Sequence, residues 1–223
     1  MIKTGKEHLE QIRDGRTVYI GDEKIKDVTK HPAFSRAAQT VSQLYDLKHQ
    51  TEFKEDLTYK ENGEEYSTWF IQAKNKDDLR KRSKAHKIIA DHTSGMMGRS
   101  MDHVASFVTG MSTSPEIFDN DHYKFSKNLL NYYQHMKKND IFASYAVVPP
   151  QAARNPEFYQ KRNLPIPTLS VVDENDKGVV ISGMKMLATS AVFANEIWIG
   201  NLIPLAPDQV KQSITCAIPC NIE

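Results

Sequence analysis

The chain reads as an α+β protein: a mostly helical stretch over residues 1–140, then a mostly stranded one over 141–223. Three observations predict this. Apolar residues recur at helical spacing repeatedly before residue 139. Beyond it prolines cluster and β-branched runs take over, which no long helix tolerates. The length, 223 residues with 39% apolar and 26% charged, suffices to bury a core in one large domain or two modest ones.

Thr4 and Glu7 have the spacing of a capping box, so a helix starts there, carries Leu9 and Ile12, and stops at Asp14-Gly15. "RTVYIGDEKIKDV" reads as a hairpin turning near Gly21-Asp22. Pro32 opens a helix bearing Phe34, Ala37, Ala38, Val41, Leu44 and Tyr45. "KENGEEYSTW" is polar around Asn62-Gly63 and reads as a turn. Helices are predicted over Asp77–His92, from about Ser100, and over about Tyr123–Lys138, the last with Phe125, Leu129, Tyr132, Tyr133 and Met136 on one face. "TLSVVDENDKGVVISGMKML" is a hairpin signal, and "NEIWIGNLIPL" and "SITCAIPCN" read as strands. The last strand ends without a closing turn, so a further segment or a partner is expected to cover it.

Charge excludes some classes. Basic and acidic residues number 29 and 28, which gives no general attraction to nucleic acid or anionic membrane. No apolar run reaches the roughly 20 residues of a membrane span, and the N-terminus is too polar for a signal peptide. Two cysteines, Cys216 and Cys220, make no disulfide framework, so a soluble cytoplasmic protein is expected. The histidines form no HExxH or Cys/His series, so no metal is expected. Walker, GxGxxG and GxSxG patterns are absent. "KNKDDLRKRSKAHK" is the one basic run; without aromatics it reads as a solvated helix face rather than an RNA-binding one.

Three stretches carry candidate chemistry. In "DHTSGMMGRSMDHVASFVTG", Met101, Val104, Ala105 and Val108 make a core face, while Arg99, His103 and Ser106 point away from it. An arginine beside a helix N-terminus suits an anionic or oxygen-rich ligand; a surface arginine on a soft loop has the same pattern. In "YAVVPPQAAR", paired prolines pre-set the backbone ahead of Gln151 and Arg154; a rigid linker would look alike. In "GMKMLATSAVFANE", Thr189 and Ser190 are hydroxyls that serve either a ligand or nearby backbone.

Taken in order, "TGKEHLEQIRDGRTVYIGDEKIKDVTKHPAF", "AHKIIADHTSGMMGRSMDHV", "VVPPQAAR" and "GVVISGMKMLATSAVFANEIWIG" resemble the 4-hydroxyphenylacetate 3-hydroxylase family, the large oxygenase component, across essentially the whole chain. The resemblance implies an acyl-CoA dehydrogenase-like fold: an N-terminal helical domain (1–140), then an incomplete middle antiparallel β domain (141–223), with the family's C-terminal helical bundle absent. It implies the N-terminal portion of a flavin-dependent monooxygenase that ortho-hydroxylates a phenol through a flavin hydroperoxide. The FAD arrives reduced and diffusible from a separate flavin reductase. Expected partners are a small phenolic substrate, that reductase, and a missing C-terminal half or further copies of the chain; neither nucleic acid nor membrane is expected.

By the same resemblance Arg99, His103 and Tyr145 are the catalytic candidates, with Arg99 facing the substrate oxygen. Pro150, Gln151, Arg154, Thr189 and Ser190 are the cofactor-binding candidates, and the two sets are expected to meet at one groove. His103 stands where the family's phenol hydroxylases carry tyrosine, Tyr145 where they carry histidine, and Met101 where proline is usual. These departures point away from 4-hydroxyphenylacetate itself. The absence of cysteines near the arginine loop points away from the family's iron–sulfur dehydratase branch. The alternatives are a non-catalytic fragment or assembly subunit of a split flavoenzyme, and an RNA-binding module using the lysine-rich helix.

Overall fold

Local sequence signals set most of the elements that frame the site. The structure, a computed structural model, describes residues 2–164, 166–176, 178–202, 205 and 207–222; Pro165 in the proline cluster, Lys177 in the predicted hairpin turn, and Ile203 and Pro204 in a predicted strand lie outside them. The chain divides into two compact units: Met1–Ser144 with Ser190–Glu196 and Pro219–Glu223, and Tyr145–Thr189 with Ile197–Ile218.

In the first unit, α1 (Gly5–Gln11) begins with both halves of the Thr4/Glu7 capping box formed. The hairpin β1 (Val18–Ile20) and β2 (Glu23–Ile25) pairs Val18 with Ile25, and Ile12, Ile25 and Val28 form a small core with Leu9, Val18, Phe34 and Val192. Helix α2 (Ser35–Leu47) begins after Phe34, not at Pro32, which lies in the preceding turn. Its apolar face buries Ala38, Val41, Leu44 and Tyr45.

The polar stretch read only as a turn is a full hairpin. After α3 (Thr51–Leu57), β3 (Thr58–Glu61) and β4 (Glu64–Ser67) pair antiparallel across Asn62 and Gly63, both at positive φ (52° and 84°). Helix α4 (Lys76–His92) is capped by Asn75, whose side chain accepts from the Asp77 and Asp78 N–H groups. Its charges are engaged locally: Arg80 with Asp77, Lys84 with Asp56, Lys87 with Asp91, and Arg82 with the Ile71 carbonyl. Helices α5 (Met101–Met111) and α6 (Phe125–Asn139) complete the unit, α6 ending at Asp140 in the left-handed region (φ 46°).

The second unit is built on strands, though short helical turns interrupt it. Strands β5 (Ala143–Ala146), β8 (Glu196–Ile199) and β9 (Cys216–Pro219) share a sheet in the order β5-β8-β9. A single helical turn over Gln151–Arg154 and α7 (Pro156–Gln160) follow β5. Strands β6 (Ser170–Asn175) and β7 (Gly178–Ser182) form the predicted antiparallel hairpin, with Val171 opposite Ile181. Leu169, Ile199 and Ile214 make the core of this unit. Helices followed by antiparallel hairpins, with no further helical bundle among the described residues, agree with the α+β architecture expected from the sequence. Among the described residues no helix is long and apolar enough to cross a membrane.

Candidate functional site

The loop from Thr93 to Ser100 carries the arginine. Ser94 and Gly95 take positive φ (52° and 73°), which reverses the chain after α4. Gly98 is not in that region, and a Cβ added there would meet nothing within 4 Å, so neither backbone nor packing requires glycine at it. Ser100 is the N-cap of α5 but does not cap it, because its hydroxyl donates to Asp102 Oδ1 at 2.5 Å. Arg99 therefore lies outside the helix, and helical spacing does not govern its relation to His103. It is exposed and close enough for its charge to act on that ring. Burial, then the Arg99 charge, push the His103 pKa below its ordinary value, against a smaller opposing pull from Asp102. Met101, Val104, Ala105 and Val108 are buried as the periodicity predicts, while His103 and Ser106 are half-buried.

A cleft of about 300 Å³ opens beside the loop, lined by His86, Gly98, Ser100, Asp102, His103 and Ser106 among others. His86 of α4 and Asp102 of α5 are bonded through Nδ1 and Oδ2. Ser106 Oγ stands 3.4 Å from His86 Nε2. Burial pushes the Asp102 carboxyl up, but the bonds from His86 and Ser100 outweigh it and hold the carboxyl below its usual range. The sequence pointed to His103 and Ser106 here but missed His86 and Asp102. Those two lie sixteen residues apart on different helices, and their only sequence signal was an imidazole and a carboxylate on the polar faces flanking the loop. A larger groove, about 580 Å³, lies elsewhere in the first unit around Lys54, Lys60, Glu65 and Lys81, and none of the sequence-predicted residues lines it.

The remaining candidates are held mostly in the second unit. Met186 N–H donates to the Val148 carbonyl at 2.7 Å. That bridge ties the segment ahead of Pro150 to the one ahead of Thr189. Lys185 Nζ reinforces it by donating to the Gly200 carbonyl (3.0 Å) and Asn201 Oδ1 (2.7 Å). Gln151, Arg154 and Thr189 are exposed on these tied segments. Groups of these types can bond the polar edges and phosphates of a dinucleotide. Tyr145 lies over Gly200, where an added Cβ would stand 3.4 Å from its hydroxyl oxygen. Ser190 belongs to the first unit, at φ 65°, starting a helical turn over Ala191–Phe193. The structure thus sets Arg99 near His103 in one unit, and in the other ties the segment leading to Pro150 to the one leading to Thr189 through Val148 and Met186.

Similarity to known proteins runs through both units. The family described as 4-hydroxyphenylacetate 3-hydroxylase, N terminal, matches residues 4–223. The 4-hydroxyphenylacetate 3-monooxygenase oxygenase component of Thermus thermophilus is 33% identical over 98% of this chain and 44% of its own length. The 2,4,6-trichlorophenol monooxygenase of Cupriavidus pinatubonensis is 33% identical over 90% of this chain and 40% of its own. A crystal structure of an oxygenase component of 4-hydroxyphenylacetate 3-monooxygenase, complexed with FAD and 4-hydroxyphenylacetate, superposes with a TM-score of 0.88 at 32% identity. It covers 98% of this chain and 45% of that one. A 4-hydroxybutyryl-CoA dehydratase, 21% identical with a TM-score of 0.82, shares the fold. The chain spans less than half the length of these relatives. With nearly every residue matched and identity above 30%, the chain belongs to the 4-hydroxyphenylacetate 3-hydroxylase family, aligning with its N-terminal region.

Proposed function

We propose that this chain serves reduced-FAD-dependent ortho-hydroxylation of a small phenol, with the flavin reduced by a separate reductase. The observation that carries this is the nearness of Arg99 to His103, which lines a cleft of about 300 Å³, in a chain matching over 98% of its length an oxygenase complexed with FAD and its phenol. Reduced FAD supplies the activation of molecular oxygen. Arg99 holds the phenol oxygen and favours its ionised form, which makes the ring carbon beside it more nucleophilic. His103, kept neutral by burial and by Arg99, offers that oxygen a hydrogen bond without competing for its charge. Pro150 sets the turn that presents Gln151 and Arg154 to the flavin, and Thr189 and Ser190 add hydroxyls. Tyr145 stands where the family's phenol hydroxylases place a histidine, so the substrate is a phenol other than 4-hydroxyphenylacetate. A cytoplasmic location, where reductase and reduced flavin are available, completes the reading.

The test is incubation with a flavin reductase, NADH, FAD and a panel of phenols, with catechol products separated by chromatography and anaerobic retention of reduced FAD measured in parallel. Retention and a catechol product are expected, and an Arg99→Met variant is expected to lose about 100-fold or more in rate. Neither retention nor product, with the rest of a family-length chain supplied in trans, would refute it. That result would favour a non-catalytic subunit of a split flavoenzyme, a reading to which the exchanged residues at His103 and Tyr145 lend support.

A further inference from the structure

The Asp102–His86 pair has a feature that the phenol-binding reading does not use. Asp102 is held ionised by its hydrogen bonds, so it can only accept. His86 Nδ1 must then be the donor, and in the neutral ring the proton sits there. The other nitrogen, Nε2, is left with its lone pair among the groups lining the cleft. Among the described residues, its hydrogen-bond partner there is Ser106 Oγ at 3.4 Å, well beyond the usual length of a hydroxyl bond. A ligand O–H entering the cleft can displace so weak a contact. At His103, the other imidazole, burial and Arg99 both oppose charging. An imidazolium on His86 would instead face a carboxylate.

We infer that His86, oriented by Asp102, takes the proton from the hydroxyl of the phenol bound in this cleft, leaving a phenolate within reach of the loop that carries Arg99. The O–H bond of the ligand breaks with its electron pair kept on oxygen. A new N–H bond forms on Nε2, and the positive charge is balanced by Asp102. His86 is thereby a catalytic residue and Asp102 a positioning residue; the inference rests on the phenol reading of the site and adds the base. The row Ser106–His86–Asp102 also has the connectivity of an acyl-transfer triad. Ser106 lies inside α5, where helix bonds occupy the backbone N–H groups next to it, so no oxyanion donors accompany its hydroxyl.

Among the described residues, the ionisable groups lining this cleft with His86 are Asp102 and His103 of α5; Arg99 lies in the adjoining loop, where its charge acts on His103. The test uses 4-nitrophenol, whose visible band reports ionisation directly, titrated into the whole chain without flavin at a pH about one unit below the ligand's own pKa. Wild-type protein is expected to bind it as the phenolate. A His86→Gln variant is expected to bind it mostly protonated, losing about one pH unit or more of the shift, a tenfold change in the ionised ratio. An Asp102→Asn variant should lose most of the same shift, because the amide can donate to Nδ1 and turn the ring over. Should either substitution unfold the chain by circular dichroism, the other carries the comparison. A phenolate band unchanged in His86→Gln would overturn the inference and leave the phenol reading standing, with Arg99 alone ionising the ligand. Absence of 4-nitrophenol binding by wild-type protein would overturn it as well, while the catechol assay judges the broader function separately.

Discussion

Replacing Lys48 by methionine tests what holds the first unit together. Lys48 is fully buried at the end of α2, its ammonium bonded to the Asp140 carboxylate and, at 3.1 Å, to Ser67 Oγ. It lies 4.3 Å over the Tyr45 ring and 5.1 Å from that of Trp69. Asp140 also accepts from Ser67 Oγ at 2.6 Å and from the Lys3 backbone N–H at 3.0 Å. Methionine fills the aliphatic volume but leaves Asp140 as a buried anion with two hydrogen bonds and no bonded cation. The expected cost is about 3–5 kcal/mol, a large part of a typical domain's 5–15 kcal/mol. At a slope of about 2 kcal/mol/M, the urea midpoint of this unit falls by about 2 M.

A pH signature separates this from simple loss of packing. In the wild-type chain burial pushes the Asp140 carboxyl up, but Lys48 and Lys3 pull it further down and hold it below its ordinary value. Its contribution is therefore present above the unfolded pKa and is lost only as pH falls through the lower folded one. Without Lys48, burial pushes the carboxyl up instead. Protonation then favours the folded variant, so the stability gap narrows as pH drops from 7 toward the ordinary carboxylate range. A Lys48→Met/Asp140→Asn double variant, lacking both charges, should recover at least about half of the loss at pH 7. A single variant within about 1 kcal/mol of wild type, or a gap independent of pH, would refute the reasoning.

Further outcomes follow from other residues. His8 is buried with Nε2 on the Phe193 carbonyl at 2.9 Å and Nδ1 unpartnered, and burial, with the nearby Lys3 charge, depresses its pKa from 6.5 to about 3. The unfolded chain thus binds the extra proton between those values, and stability should fall by about 1.4 kcal/mol per pH unit below about 6.5; a His8→Gln variant whose acid-side urea midpoints keep the wild-type slope would contradict this. Gly183 sits at φ 131° with an added Cβ only 2.1 Å from the Thr168 carbonyl oxygen, so Gly183→Ala should destabilise the second unit by about 3 kcal/mol, read as faster proteolysis of its loops. Thr4→Ala removes the hydroxyl half of the capping box and should cost about 1 kcal/mol in thermal melts.

Much of the frame was legible because its causes are local. The Thr4 cap, the turn at Gly21, the apolar stripe of α5 and the β6–β7 hairpin each follow from residues within a few positions of one another. The hairpin around Asn62-Gly63 was half legible. Its turn residues are diagnostic, but the strands expose Lys60, Glu61 and Glu64 and show too little alternation to read as strands. Helix α2 starts three residues later than Pro32 implied, because Pro32, Ala33 and Phe34 form a turn before the first helical residue.

By itself, the sequence determined the family, the change from helices to strands and the loop that carries Arg99, since caps, turns and short motifs are encoded by adjacent residues. Tertiary structure alone decided which distant groups meet. Packing set His86 against Asp102, buried Lys48 with Asp140 across ninety-two positions, and returned Ser190–Glu196 to the first unit. The reason is physical: a charged side chain leaves water only where a partner meets it, and that partner is chosen by how helices and strands pack, which no local pattern records.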